Sequence, residues 1–469
     1  MLFTEIRFAV FFVICLSVYW TLKRTSHRHV FLLVMSYIFY AGWDVRFLAL
    51  IAYSTAVTYI GSHLLRDAPS AQRRRLVLIV TIVMQLASLF FFKYFDFAFE
   101  NVAALLAATG LSGNWSAPDI LLPVGISFFT FQAISYLVDV SRGDTQVRSG
   151  LRDVALYIAF FPQLVAGPIV RSTDFMPQLD EDKRRNTVQF IRGFSVFLLG
   201  FCYKAAIADN LGLLVGPVFA DPLDWSVVSV WVATLGFYGQ IYFDFAGYSW
   251  MAIGVAGMLG FALPRNFNFP YVARNVQEFW HRWHISLSTW LRDYLYIPLG
   301  GNRMGAGRTY VNLALVMLLG GLWHGAAWNF AIWGGIHGGM LALERLMGKK
   351  ALHARLPRPI AVAMTFFVVC IAWVFFRAAS LPEAVNYLGA MFAQSGDHPA
   401  ADMVPGQIYS LYHLGTLILA AIIIWGAPQT WDYTRQLTWP KTIAIVVLFV
   451  LAIALLGATS FHPFIYFIF

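Results

Sequence analysis

The sequence predicts an all-α, polytopic integral membrane protein that forms one domain over residues 1–469. Of these residues, 59% are hydrophobic, 17% are aromatic and only 12% are charged, and that charged fraction is about half of the fraction in an ordinary soluble domain. Apolar runs that approach the roughly 20 residues needed to cross a bilayer recur along the whole chain. The basic residues cluster between those runs, as the positive-inside rule describes. The net charge of +9 is therefore attributed to membrane topology, and no nucleic-acid partner is expected.

We expect about 11 transmembrane helices and additional re-entrant segments. The first apolar run should persist as a helix, because it lacks the basic segment and the small-residue cleavage site of a signal peptide. Runs 227–261 and 311–343 are each long enough for two passes, or for one pass and a re-entrant piece. The apolar runs cover residues 8–22, 47–65, 76–92, 120–140, 190–207, 227–261, 311–343, 360–376, 411–425 and 443–459.

The distribution of Lys and Arg predicts which loops face the cytoplasm. Loops 96–119, 221–226 and 380–406 contain neither residue but carry several carboxylates, so they are assigned to the outside. Both termini are then predicted to lie outside. The aromatic segment 463–469 is a candidate docking element, with interfacial anchoring as the alternative. The basic stretches assigned to the cytoplasm are 23–28, 66–75, 142–152, 183–185, 265–308 and 345–358.

Two short segments interrupt this regular pattern. Segment 156–170 is apolar but contains Pro162, Gly167 and Pro168. Such residues free backbone groups that a membrane tolerates only where protein or a wet cavity satisfies them. We therefore predict a re-entrant hairpin at 156–170 and a similar irregular entry at 263–271.

One part of the chain combines aromatic and ionisable side chains with apolar sequence. Within 277–303 the ionisable candidates include His281, Arg282, His284, Arg292 and Asp293. Residues 322–328 then place His324 inside an apolar run. An ionisable side chain at membrane depth is costly unless it is paired or faces a wet cavity, so it indicates a functional site. The sequence thus predicts a membrane-embedded active site here.

Five segments resemble motifs of the membrane-bound O-acyltransferase family. The similarity extends from near the N-terminus to about residue 376, and the nearest branch resembles the membrane subunit of bacterial alginate O-acetyltransferase and its relatives for other surface polysaccharides or peptidoglycan. The segments are Pro-Val-Gly-Ile-Ser-Phe-Phe-Thr-Phe at 123–131, Phe-Phe-Pro-Gln-Leu-Val-Ala-Gly-Pro-Ile at 160–169, Tyr-Phe-Asp-Phe-Ala-Gly-Tyr at 242–248, the block 278–303, and Gly-Leu-Trp-His-Gly at 321–325.

The resemblance implies a helical ring around a central tunnel, in a multi-pass protein of the bacterial inner membrane. It implies N-terminal helices at 8–262, a catalytic core at 263–343, and C-terminal helices with an outward-facing tail at 360–469. By motif, His324 corresponds to the family's catalytic histidine, and His284 to its second histidine, on the cytoplasmic arm of the tunnel. His284 is expected to bind or position the donor, with helix capping or packing as the alternative.

The resemblance also implies transfer of an acetyl group from a cytoplasmic thioester to an extracytoplasmic polysaccharide. The donor would be acetyl-CoA or a carrier-bound thioester, and no permanently bound cofactor is expected. A separate periplasmic or membrane-tethered transferase of the SGNH hydrolase type would handle the acceptor, while membrane lipids surround the helices. The alternative class is a transporter of an acyl donor or polysaccharide precursor, in which His324 only lines the path.

Acyl transfer needs a base for the hydroxyl proton, stabilisation of the oxyanion and exclusion of water. Histidine suits the first task, which favours His324 as the general base. The remaining candidates are assigned to donor binding or tunnel lining, with ion pairing and ordinary membrane topology as alternatives for the charged ones. They are His281, Arg282, Arg292, Asn275, Asp244, Trp323 and Arg303, to which Arg308 and the Gly300–Gly301 turn add phosphate-binding groups.

His281 and His284 would share one helical face, which raises a metal site as a possibility. No acidic or cysteine ligand stands at a suitable spacing, so no metal is predicted. His337 follows His324 by 13 residues, roughly 220° around an ideal helix, and is assigned a structural role.

Three polysaccharides remain candidates for the acceptor: an alginate-like exopolysaccharide, cellulose and peptidoglycan. His281 stands where relatives often have Arg. Gln163, Ala246 and Trp250 stand where the alginate branch often has His, Ser and Asp.

Overall fold

The structure is a computed structural model, and it describes residues 1–111, 113, 116–348, 352–392 and 409–458. Within these residues all regular structure is helical, which confirms the predicted all-α class. The chain forms two compact units: Met1–Gly193 with Val255–Pro264, and Phe194–Gly254 with Arg265–Phe469. The predicted single domain, the count of 11 crossings and the central tunnel stay predictions. The tail at 463–469 lies outside the described residues.

The first unit is built from helices α1 to α9 and the start of α10. Their bounds are α1 Ile6–Thr21, α2 Thr25–Ala41, α3 Leu48–Arg66, α4 Ala71–Leu89, α5 Phe95–Ala108, α6 Ile126–Arg142, α7 Leu151–Ala159, α8 Phe161–Leu164, α9 Ser172–Asp180 and α10 Thr187–Cys202.

Helix α2 was not among the predicted apolar runs. Its 17 residues include His27, Arg28, His29 and Ser36, and these polar side chains hide its apolar segment. With α2, two helices connect the basic stretches 23–28 and 66–75.

The irregular segment predicted at 156–170 is broken where the sequence indicated. Helix α7 ends before Phe160, the four-residue helix α8 follows, and the chain then turns at Val165–Gly167. Gly125 has a positive φ of 75° and packs against the carbonyl of Leu164, so a side chain there would collide with the backbone. Residues 154–170 are all buried in this unit, which supplies the protein surroundings that such a break needs.

The second unit contains the remainder of α10 and the helices that follow it, except that the last turn of α12 belongs to the first unit. Their bounds are α11 Asp209–Ala220, α12 Val227–Met258, α13 Val276–Arg282, α14 Ile285–Leu291, α15 Ala306–His324, α16 Trp328–Met347, α17 Leu352–Arg355, α18 Arg358–Arg377, α19 Leu381–Met391, α20 Leu411–Gly426, α21 Thr430–Tyr433 and α22 Trp439–Ala458.

The two long apolar runs behave differently. Run 227–261 is one unbroken helix of 32 residues, so the two-pass interpretation was wrong. Gly247 in this helix allows close packing against α10 and does not form a turn. A Cβ on Gly247 would lie 2.7 Å from the carbonyl oxygen of Gly200. Run 311–343 divides into two helices, α15 and α16, separated by Gly325–Ala327, and the number of passes that it makes stays a prediction.

Length and composition make five helical stretches of the described chain long and apolar enough to cross a membrane. Two shorter apolar helices, α1 and α20, approach this length. The five stretches are Val45–Arg66, Ala71–Ala108, Thr187–Ala220, Arg358–Arg377 and Trp439–Gly457.

Candidate active site

His324 is the last residue of α15, where that helix stops at Gly325. Its Nδ1 lies 2.7 Å from the carbonyl oxygen of Gly320, one turn back along the helix. Because a carbonyl only accepts, this hydrogen bond places the proton on Nδ1 and leaves a lone pair on Nε2. His324 is 4% exposed, so a basic nitrogen is held in a largely dry environment.

His284 lies between α13 and α14 and has a positive φ of 42°. This left-handed conformation is rare for a residue other than glycine and stores backbone strain. Its side chain is completely buried. Neither ring nitrogen has a hydrogen-bond partner among the described residues. A buried imidazole without partners is costly, and such exceptions concentrate where a ligand or water completes the site.

The structure brings His284 and His324 together within the second unit. Their ring centroids are 6.2 Å apart, and Trp323 contacts both rings at 5.0 and 5.8 Å. Trp333 and Phe376 complete the wall around His324, at 4.9 and 5.4 Å. Such an aromatic enclosure excludes water and strengthens the electrostatic interactions inside it.

Asp244 belongs to a buried ion-pair cluster. Its carboxylate lies 2.6 Å from the ammonium group of Lys204, which also contacts Asp209 at 2.7 Å. All three side chains are at least 96% buried. Ion pairing, the alternative raised for Asp244, is therefore observed, while donor binding by this residue stays a prediction. Lys204 was not predicted as a site residue, although a lysine inside the run 190–207 is itself a signal of a buried partner.

Asn275 and Arg282 stabilise the short helix α13. Asn275 accepts a hydrogen bond from the N–H of Glu278, as an N-cap does. Arg282 pairs with Glu278 at 2.9 Å and donates to the carbonyl of Asn268. Partial burial acts to raise the pKa of the Glu278 carboxyl, but the N–H of Arg274 and the guanidinium group of Arg282 outweigh it and lower this pKa. Both candidates are thus engaged in local structure.

A cavity of about 590 Å³ lies beside this segment in the second unit. His281 and Arg292 line it, together with Arg345, which the sequence analysis had assigned only to membrane topology. Arg292 also pairs with Asp293 at 2.6 Å. The indole of Trp280 forms part of the wall and contacts Trp333 at 5.7 Å, so one further ring separates the cavity from His324. Arg303 is exposed and does not line this cavity.

The prediction that His281 and His284 share one helical face was wrong. Helix α13 ends at Arg282, and His281 is exposed whereas His284 is buried. Among the described residues, no cluster of three or more His, Cys, Asp or Glu side chains could hold a metal ion.

His337 lies on α16 rather than on the helix of His324, so the single-helix geometry used to separate the two residues was wrong. Its ring stacks on Phe279 at 6.0 Å and contacts Trp280 and Trp333. Both of its nitrogens are buried without a hydrogen-bond partner among the described residues.

We expect His337→Phe to fold with unchanged or higher thermal stability and to keep turnover within threefold of wild type. Removing an unsatisfied buried polar group is favourable by about 1–3 kcal/mol, which offsets the slightly larger ring. Thermal unfolding in detergent and an activity assay measure both effects. A folded His337→Phe protein with more than a tenfold loss of turnover would contradict the structural role.

The family of this chain follows from comparison with known proteins. Residues 145–381, about half of the chain, match the family model of the membrane-bound O-acyltransferase family. A probable alginate O-acetylase AlgI of Azotobacter vinelandii is 39% identical, with 98% of both chains covered.

This chain belongs to the membrane-bound O-acyltransferase family.

Other relatives of this acyltransferase carry different names. A peptidoglycan O-acetyltransferase of Helicobacter pylori is 36% identical over 80% of this chain and 75% of its own. A teichoic acid D-alanyltransferase of Bacillus subtilis is 29% identical over 54% of this chain and 68% of its own. Family membership and these names establish an acyltransferase in a multi-pass membrane protein. The buried His284–His324 pair lies within the matched residues.

Proposed function

We propose that this acyltransferase takes an acetyl group from a cytoplasmic thioester and transfers it to a hydroxyl group for O-acetylation of an extracytoplasmic polysaccharide. The observation that carries the proposal is the pair of buried histidines 6.2 Å apart, one with its tautomer fixed by the Gly320 carbonyl. A base and a second polar ring enclosed by aromatic side chains suit acyl transfer, because water would otherwise hydrolyse the donor.

In the proposed reaction, Nε2 of His324 accepts the proton of the acceptor hydroxyl as its oxygen attacks the thioester carbon. The new C–O bond forms, the C–S bond breaks, and the proton passes to the leaving thiolate. His284 binds the thioester with a ring nitrogen, as a donor to the carbonyl oxygen on which negative charge develops. That role gives its buried, unpartnered ring a ligand.

The cavity beside α13 is the proposed entry for the donor. Arg292, Arg345 and His281 supply cationic and hydrogen-bonding groups at its wall, and guanidinium groups bind phosphate in a bidentate manner. Acetyl-CoA is the proposed donor because it combines phosphates with a slender thioester arm. The predicted topology places this segment at the cytoplasmic side, where that donor is made.

We expect Arg345→Gln to raise KM for acetyl-CoA about tenfold, with kcat little changed, since a phosphate contact far from the reacting atoms acts on binding. Arg303→Gln is the matched control, because this arginine does not line the cavity. Steady-state kinetics on the two purified variants give the comparison. Equal KM values for both would contradict the assignment of the cavity.

The proposed localisation is the bacterial inner membrane, with both termini in the periplasm. The acceptor side would then require a periplasmic or membrane-tethered partner of the SGNH hydrolase type that passes the acetyl group on. The identities of 39–42% to probable alginate O-acetylases support an alginate-like polysaccharide as the final acceptor. Peptidoglycan is supported by a lower identity of 36%.

Release of free coenzyme A from acetyl-CoA by the purified full-length protein in nanodiscs tests the proposal. We expect slow release alone and faster release when a periplasmic acceptor partner is added, with acetyl recovered on that partner. If no thioester turns over with any acceptor, while labelled donor or polysaccharide precursor crosses the membrane of closed vesicles that contain the protein and stays unchanged, the protein acts as a transporter.

A further inference from the structure

Asn266 joins three segments of the second unit around His284. Its main-chain oxygen accepts the N–H of Ile285 at 2.9 Å. Its side-chain oxygen accepts both the N–H and the hydroxyl of Ser286, at 3.2 and 2.8 Å. Its side-chain nitrogen donates to the hydroxyl of Ser249 on α12, at 3.3 Å. Asn266 is 1% exposed, so water does not compete for these bonds.

These bonds act on the backbone directly after His284. Ile285 and Ser286 are the first two residues of α14, whose N–H groups have no partner within the helix. His284 itself provides no side-chain cap. Asn266 therefore caps α14 from another segment of the chain.

The cap also holds a strained turn. His284 has φ 42° and ψ 55°, a conformation that persists in a residue other than glycine only when its surroundings over-determine it. On the other side of the turn, the N–H of Asn268 donates to the carbonyl of Arg282 at 2.9 Å. Segment 266–268 thus fixes the backbone both before and after His284. The His284 ring consequently lies 4.7 Å from Phe245 and 6.2 Å from His324.

We propose that Asn266 is a positioning residue for the acyl-transfer reaction, which holds His284 in its left-handed conformation and so keeps the imidazole within reach of the donor and His324. This inference rests on the proposed function, because it assigns Asn266 a role in that reaction. Without the cap, the backbone relaxes toward an ordinary conformation and the ring moves away. A displacement of about 1 Å is sufficient to lower a rate by about a hundredfold.

The test compares Asn266→Ala with Asn266→Asp in the full-length protein, using acetyl-CoA and the acceptor partner. Asn266→Ala is expected to lower kcat about a hundredfold and to change KM for acetyl-CoA less than threefold. Asn266→Asp keeps an oxygen that can accept hydrogen bonds from Ser286. Its kcat is therefore expected to be at least tenfold higher than that of Asn266→Ala. In a His284→Ala background, Asn266→Ala is expected to cause no further loss, because residues that act as a unit are not additive.

Asn210→Ala is the matched control. Asn210 is also completely buried, and its side chain donates to the carbonyls of Ala205 and Ala206 and accepts from the hydroxyl of Tyr412. We expect a similar drop in the melting temperature for both alanine variants, but less than a threefold change of kcat for Asn210→Ala.

Three results would overturn the positioning role while wild type remains active: an unchanged kcat in Asn266→Ala, an equal loss in Asn210→Ala, or no recovery in Asn266→Asp. If Asn266→Ala does not fold, Ser249→Ala removes one bond of the network and is expected to lower kcat about fivefold; an unchanged kcat there overturns the role equally. A wild-type protein that releases no coenzyme A would instead refute the proposed function.

Discussion

Replacing His324 with alanine is expected to lower kcat for coenzyme A release at least a thousandfold, while the protein still folds. General-base catalysis contributes about 10²–10⁴-fold. His324 is proposed as both the base for the acceptor hydroxyl and the acid for the thiolate. Its Nδ1 bond to Gly320 closes only one turn of α15, so its loss does not disconnect the helices. Single-turnover release of coenzyme A, with unfolding temperature measured on the same preparation, gives both quantities.

His337→Phe is the natural control for this experiment, because it changes another buried histidine that contacts the same indole, Trp333. Loss in the His324 variant together with retention in the His337 variant would assign the chemistry to one ring. Wild-type turnover in a folded His324→Ala protein would exclude His324 as the base. His324→Gln provides a further comparison, because it keeps a polar group but cannot accept a proton at neutral pH.

His284 and His324, the proposed catalytic pair, could both be identified from the sequence, but for different reasons. The position of His324 alone indicates a functional role, because an ionisable side chain in an apolar run is costly unless it is paired or faces a wet cavity. His284 was identified only by its motif, because nothing local shows that its ring will be buried. Their proximity depends on α14 and α15 being packed in one unit, which no spacing rule predicts.

Residues whose position depends on contacts between distant segments were harder to predict from the sequence. Arg345 lies in a basic stretch that membrane topology alone explains, so its place at the cavity is visible only in the structure. Asn266 lies in the irregular segment 263–271, which was predicted, but its partners are 17 and 20 residues away. The break at Phe160 lies in segment 156–170, whose Pro and Gly residues indicated it, whereas α2 was hidden by its polar first turn.

At the crossing of α15 and α16, adding a single methyl group should lower stability strongly. A Cβ on Gly334 would collide with the carbonyl oxygen of Met317, and one on Gly321 with that of Phe330. Small residues let membrane helices approach closely, and here the two backbones are in contact. The collision is with backbone rather than a flexible side chain, so Gly334→Ala can be relieved only by moving a helix.

We expect Gly334→Ala to destabilise the protein by about 3 kcal/mol, as overpacking of a well-packed interior does. Activity should fall as well, because α15 carries His324 at its end.

Gly339→Ala is the matched control on the same helix, since a Cβ there meets nothing within 4 Å. That variant is expected to be neutral or more stable by up to about 1 kcal/mol, the ordinary preference of a helix for alanine. Thermal unfolding in nanodiscs compares the two. Equal stability of both variants would show that the helices are further apart than the structure places them, and would also remove the support that this crossing gives to the position of His324.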